Sequence, residues 1–418
     1  MTPSNYESPR EKVVAAGNLN RSLRPIYLFQ ALKSLQLFGA VAVPFYLEWA
    51  GVDYTRMFLL EGAFALFMVL LEVPTGTIAD RFGRKVSLMA GAVLTGSSFV
   101  MFGVTRSYPL YFGANFLCAA GMTCISGADQ ALIYDTLLAA GKSGEGRRVL
   151  ARYQAVGTAA MMVGFVVGAW LAGVWVRPQS LATVFVMSGA AFALAAVPLM
   201  FVAEPVRAEK LQHPLREGIE GMRMLLAPGE LRRLAFNYAT VSATGFFMFW
   251  FYQSLAREAA LPIAANGLLG AGLNLLGMVL LWKAGALEAR LGLGRLLMIT
   301  AVAPGCFYLA LAGFRPPVFA LVAAFIVVGC KLLREPLLSD LINQRVESRR
   351  RATILSGVSL IERAVVFVLY PLVGLAADRS LSVAFAGLGV VSLIFALRLR
   401  GQGKASVNAG QDSAAGAA

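Results

Sequence analysis

Glu72-Val73-Pro74-Thr75-Gly76-Thr77-Ile78-Ala79-Asp80-Arg81-Phe82-Gly83-Arg84-Lys85 is the stretch from which the architecture can be read. It closes one apolar run, residues 55–77, and opens another, residues 85–104. Each run is long enough to cross roughly 30 Å of hydrocarbon as a helix of about 20 residues. Asp80, Arg81, Arg84 and Lys85 crowd between them, and charge at the centre of a bilayer is costly, so they mark a connection at a membrane face. Gly83 lets that connection turn tightly, Gly76 lets two helices approach closely, and the charges read as a latch on that face.

The same alternation of apolar run and charged connection continues along the chain. Of its 418 residues 58% are hydrophobic and only 14% charged, which excludes a water-soluble globular domain. The runs are continuous and lack the alternating pattern of barrel strands, so helices must satisfy the backbone in lipid. They fall at 25–47, 55–77, 85–104, 109–138, 153–175, 181–202, 234–254, 264–283, 295–313, 317–336, 353–376 and 380–397, which predicts an all-α membrane protein of twelve spans.

With both termini cytoplasmic, most of the 37 Lys and Arg residues lie on the cytoplasmic side, and Arg56, Arg106, Arg177, Arg257, Arg315 and Arg379 lie outside. That bias accounts for the net charge of +14, and no nucleic-acid partner is expected. The most charged interior connection divides the runs six and six. The expected organisation is an N-terminal six-helix bundle over 1–203, a cytoplasmic linker over 204–233, a C-terminal six-helix bundle over 234–400 and a disordered cytoplasmic tail over 401–418. Within the linker, Leu215 to Leu226 has the pattern of an amphipathic surface helix. The first 24 residues are polar and basic and no small-residue cleavage site follows, so no removable signal peptide is expected. Cys118, Cys124, Cys306 and Cys330 all sit in apolar runs and read as small buried hydrophobes, not as disulfides or metal ligands.

A six-plus-six arrangement implies an internal repeat. Gly76, Arg81 and Gly83 recur as Gly285, Arg290 and Gly292, each shifted by 209 residues. The opening stretch is similar to the major facilitator signature of Gly, three residues, Asp-Arg, one residue, Gly-Arg and a further basic residue, and it stands in the expected place between the second and third spans. The chain therefore resembles secondary transporters of the major facilitator superfamily, closest in pattern to the drug:proton antiporter-like bacterial permeases.

The resemblance implies a fold of two pseudo-symmetric six-helix bundles in the bacterial cytoplasmic (inner) membrane. It also implies that Asp80 faces the start of the eleventh span, near Ser348 to Thr353, where the free N–H groups and the helix dipole favour an anion. Arg84 would pair with Asp135 at the cytoplasmic end of the fourth span. The second copy carries Ala289 where the first has Asp80, so its latch is weak or absent. Two antiporter features are incomplete: the fourth span has no Arg between Leu110 and Gly121, and the glycines of the fifth, Gly157, Gly164, Gly168 and Gly173, lack the accompanying proline. Those glycines suit a packing face equally well.

Charges inside the spans are the candidate chemistry. Lys33, Glu61, Glu72, Asp129, Lys331, Glu362 and Arg363 lie within apolar runs, and all but Glu61 sit toward the cytoplasmic ends. Six residues of helix turn Asp129 and Asp135 about 240° apart, so one latch cannot use both, and Asp129 is assigned to the interior. Gln30, Lys33 and Gln36 form a polar arc on the first span, and Ser356, Ser359 and Arg363 another on the eleventh. Asp129 or Glu362 is the candidate proton carrier, with Lys33, Lys331 and Arg363 as counter-charges that also suit anionic substrate groups. Static pairs that only fix helix packing are the alternative. Glu72 reads as a brace at the end of the second span. The aromatic run Phe246 to Tyr252 reads mainly as interfacial anchoring, or, through Trp250 and Tyr252, as part of an outer gate. Asn266, Gly270, Asn274 and Gly277 mark one small and polar face of the eighth span, for packing or for the cavity.

The expected function is secondary transport by alternating access: a proton-coupled exporter of small amphiphilic compounds or, on the same fold, an importer or symporter of a nutrient or metabolite. A monomer is expected, with a small-molecule substrate and the lipid bilayer as partners. The proton gradient is the expected energy source, with no cofactor, metal or ATP. An enzyme or sensor is the third class. The sole histidine, His213, falls in the central connection, and no nucleophile with a base, metal-ligand cluster or phosphate-cradling loop is evident.

Overall fold

Fourteen residues of the signature stretch contain a single break in helix. In the computed structural model, which describes residues 19–203, 219–220, 223–226, 230–345 and 351–397, α2 (Tyr54–Phe82) runs through the expected loop and stops only at Gly83. There φ is +105°, a conformation that β-carbons disfavour, and α3 (Arg84–Val104) starts at the next residue. Gly76 is interior to α2, and a Cβ placed on it would meet nothing within 4 Å. Among the described residues no close approach is made at Gly76, and the turn is made at Gly83.

All described secondary structure is helical. Before α2 come α1 (Leu19–Ser34), a 3₁₀ turn Gly39–Val41, one helical turn Ala42–Pro44 and a π-helical stretch Phe45–Trp49. After α3 come α4 (Tyr108–Ile125), α5 (Ala128–Ala139), α6 (Gly146–Val174), α7 (Gln179–Leu194) and α8 (Ala196–Met200). The later elements are α9 (Glu230–Phe246), α10 (Met248–Glu258), α11 (Ala264–Leu291), α12 (Leu293–Gly313), α13 (Pro317–Arg345), α14 (Arg351–Arg379) and α15 (Leu381–Leu397). Among the described residues ten helical segments are long and apolar enough to cross a bilayer, with Leu381–Ala396 a shorter apolar helix. Large apolar side chains such as Trp282, Leu70 and Val318 are exposed on them, as lipid-facing residues are. The chain is an integral membrane protein.

The packing divides into two compact units. The first comprises Met1–Val41 and Leu66–His213, the second Ala42–Ala65 and Pro214–Ala418. In the first, α3 packs on both α4 and α7 at close range. A Cβ on Gly91 would lie 2.6 Å from the Gly121 carbonyl oxygen, and one on Gly96 2.6 Å from that of Gly189, so only glycine permits this backbone contact. In the second, α12 packs on α15, where Gly305 and Gly389 meet in the same way. The bounds repeat as well: α11 ends at Leu291, Gly292 turns with φ +78°, and α12 covers Leu293–Gly313, each position 209 residues after its counterpart.

Three expectations are corrected. The first span is not one helix: α1 ends at Ser34, so Gln36 does not continue the polar arc of Gln30 and Lys33. The irregular backbone that follows is buried in protein, where its groups find partners; the Phe38 N–H donates to Ser188 Oγ at 3.0 Å. The fourth span breaks at Ser126 and Gly127, where φ is +76°. The aromatic run is largely buried: Phe247, Phe251 and Tyr252 lie inside the second unit, and Phe58 packs edge-on against Phe247, Trp250 and Phe251. In the linker, 219–220 and 223–226 are helical, with Leu225 buried beside Ala235 and Ile354 and Ile219 and Leu226 exposed, while the rest of the segment Leu215 to Leu226 lies outside the described residues.

Candidate functional site

Lys33 and Asp129 meet where two helices end. Lys33 occupies the last turn of α1 and Asp129 the first turn of α5, created by the break at Gly127. A cation near the carbonyl end of one helix and an anion near the N–H end of another are each favoured by the local dipole. Lys33 Nζ lies 2.7 Å from Asp129 Oδ2, with side chains only 15% and 11% exposed. The Tyr153 hydroxyl on α6 donates to the same oxygen at 2.8 Å, and the Gln130 N–H donates to Oδ1 at 2.7 Å. The ammonium also stands over the rings of Phe29 and Tyr153, 5.2 and 5.4 Å from their centroids. Gln30, one turn earlier, is buried, and its Oε1 has no hydrogen-bond partner. The result is a small, mostly buried polar cluster in the first unit with one carboxylate, one ammonium, one phenol and one amide.

Arg84 and Asp135 form a second ion pair, with both side chains less than a tenth exposed. The guanidinium also donates to the Ala131 carbonyl. Asp129 and Asp135 thus serve different partners on different sides of α5. Lys85 donates to the Met200 and Val202 carbonyls at 2.8 and 2.9 Å, holding the end of α8, while Arg81 is exposed beside its neighbour Phe82. Arg84 and Lys85 therefore fasten α3 to α5 and α8 within the first unit. The side chain of Asp80 and residues 346–350 lie outside the described residues, as does the contact expected between them; so do the side chains of Ser356 and Ser359, and His213.

In the second unit Glu362 stands within electrostatic reach of Lys331, Glu335 and Arg363, near Ser242. Among the described residues neither Lys331 nor Arg363 closes an ion pair with it; the Lys331 stem packs on Gly245, and Arg363 is exposed. Glu61 accepts a hydrogen bond from the Tyr46 hydroxyl at 3.3 Å. Sequence reasoning missed Arg334, which is 1% exposed. It donates to Asn237 Oδ1, to the Leu297 carbonyl at 2.7 Å and to Thr300 Oγ1 at 3.2 Å, while its Nε is unpartnered. Its signal was present, a charge three residues after Lys331 in an apolar run. Tyr153 gave none, because only the packing of α6 on α5 brings it to Asp129.

Three glycines of α6, Gly157, Gly164 and Gly168, belong to a packing face, while Gly173 is exposed. Gly164 lies against the backbone of Gln36 and Gly168 against Leu37, and a side chain on Gly157 would collide with Gln30. On α11, Asn266 is buried, Asn274 bonds to its own helix at Gly270, and Gly277 abuts Leu332 of α13. Among the described residues no group of His, Cys, Asp and Glu could hold a metal ion.

Several solved transporter structures share this fold. The nucleoside transporter NupG matches with a TM-score of 0.75 at 13% identity, covering 91% of this chain and 98% of that one. A bacterial homologue of the human lysosomal transporter Spinster, inward-facing and unoccupied, matches with a TM-score of 0.70 at 18% identity, covering 94% and 95%. A POT family transporter in complex with a thioalcohol-conjugated peptide matches with a TM-score of 0.68 at 12% identity, covering 91% and 95%. No curated protein sequence matches. The family model described as Major Facilitator Superfamily matches residues 28–361, most of the chain, and the protein belongs to that superfamily.

Proposed function

We propose that this transporter works by alternating access, with twelve spans in two six-helix bundles, and exchanges a proton at Asp129 as it exports small amphiphilic compounds. It sits as a monomer in the bacterial cytoplasmic membrane with both termini cytoplasmic, driven by the proton gradient and not by ATP. The Lys33–Asp129–Tyr153 cluster carries the reading. It places one carboxylate and one ammonium at a helix break, where protonating the carboxylate would remove the ammonium's partner and free it for another anion. Glu362, with Lys331 and Arg363 in range, is the corresponding candidate in the second unit. Asp80 meeting the first turn of α14 is the proposed cytoplasmic latch, with Arg84, Asp135 and Lys85 as its rigid base.

The importer or symporter reading draws on the fold likeness to a nucleoside transporter and a peptide-binding POT transporter. Transport in proteoliposomes under an imposed pH gradient, with a compound panel and the direction read from which face drives flux, decides between them. Asp129→Asn is expected to abolish the pH dependence, and unchanged dependence in both Asp129→Asn and Glu362→Gln removes the proton-site assignment.

A further inference from the structure

The last turns of α14 read Gly374-Leu375-Ala376-Ala377-Asp378-Arg379, the same Gly-x-x-x-Asp-Arg pattern as Gly76 to Arg81. Its partner is the start of α2. That start is about 43 Å of helix from Gly83, at the opposite membrane face from the signature stretch. Asp378 Oδ1 accepts the Tyr54 N–H at 2.7 Å, and Oδ2 accepts the Thr55 N–H at 3.0 Å and the Thr55 hydroxyl. These are N–H groups that no carbonyl within the helix can reach. Asp53 takes only the Arg56 N–H, at 2.7 Å, so the local cap leaves Tyr54 and Thr55 to Asp378.

Gly374 makes the approach possible, since a Cβ there would stand 2.7 Å from Thr55 Cα. Around the carboxylate the same segment is fastened again. The Tyr54 hydroxyl bonds Ser254 Oγ at 2.8 Å, the Val43 N–H donates to Gln253 Oε1 at 3.0 Å, and Phe58 stacks on Tyr370 with centroids 5.6 Å apart. Ala42–Ala65 is thereby part of the second unit, although the helix it begins continues in the first.

We propose that Asp378 is a positioning residue of the transport cycle, an outer latch in which the Gly374–Asp378 turn of α14 grips the N-terminus of α2 and releases it when the outer side opens. The proposal rests on the alternating-access reading. The carboxylate supplies charge to the positive end of the helix dipole, and the contact is made of reversible hydrogen bonds at the membrane face, so its release leaves no buried charge unpaired.

The test uses the full-length protein in proteoliposomes, with the four native cysteines replaced and Ser254→Cys as the reporter, since Ser254 is 3% exposed beneath Tyr54. Maleimide labelling from the outer side is followed without substrate. Asp378→Asn and Gly374→Val should each label about fivefold faster than the reporter background while remaining monodisperse. Equal labelling in these folded variants overturns the latch. If neither yields folded protein, Thr55→Val, which removes one of the three donors, is read in the same assay, and an unchanged rate there overturns it equally. Labelling needs no cargo, so unchanged labelling with transport intact sinks the latch alone. Labelling that responds to the variants while no compound is moved by the unaltered protein sinks the transport assignment instead.

Discussion

Lys33 and Asp129 owe their pairing to two helix ends. Each charge is stabilised first by the terminus it occupies and then by the other, so removing one strands its partner in a site with little water. Lys33→Met should lower Tm in detergent more than the double variant Lys33→Met/Asp129→Asn does, because breaking a buried pair costs about 3–5 kcal/mol whereas replacing both partners is nearly neutral. Equal Tm values would show that the cluster is wet enough to solvate the carboxylate. Arg334 is the other residue whose loss should be felt. Lysine cannot reach Asn237, Leu297 and Thr300 from one planar group, so Arg334→Lys should lower stability by about 1–3 kcal/mol in a denaturant melt.

Helix ends also decide what happens in the signature stretch. Gly76 lies in mid-helix with open space beside it, so Gly76→Ala should leave Tm unchanged or raise it, a helical alanine being worth about 0.5–1 kcal/mol over glycine. Gly83→Ala forces a Cβ into positive φ and should cost about 1–2 kcal/mol, and Gly292→Ala the same, seen as parallel drops in Tm. Gly96→Ala acts by another route, pushing α3 from α7, and should cost about 1–3 kcal/mol. A melt series of these four variants in one detergent checks the order. Apolar runs show where helices lie, but a run looks continuous across a break such as Ser126-Gly127. Glycine in lipid-embedded helices serves packing as often as turning, and the two uses look alike in one dimension.

At the scale of the whole molecule, one helix belongs to two packing units. Residues 214–418 expressed alone lack Ala42–Ala65, so Asp378 loses the Tyr54 and Thr55 donors, Gln253 the Val43 N–H, and Phe247 and Phe251 the Phe58 ring. That half should be protease-sensitive in membranes and become resistant when residues 1–213 are co-expressed, with the two pieces co-purifying. A half that is equally resistant alone would show that the early segment adds little to it.

The sequence by itself determined the helical membrane class, the signature stretch, the 209-residue repeat and the charges that matter, because hydrocarbon penalises every exposed polar group and so writes the spans and their exceptions into composition. Only the tertiary structure decided which charges meet, that Tyr153 joins Asp129, that no described residue closely approaches Gly76, and that Asp378 caps α2. Those contacts depend on helix rotation, on breaks at Ser34 and Gly127, and on approaches set by glycines far apart in the chain, such as Gly96 and Gly189, and no one-dimensional pattern fixes any of these.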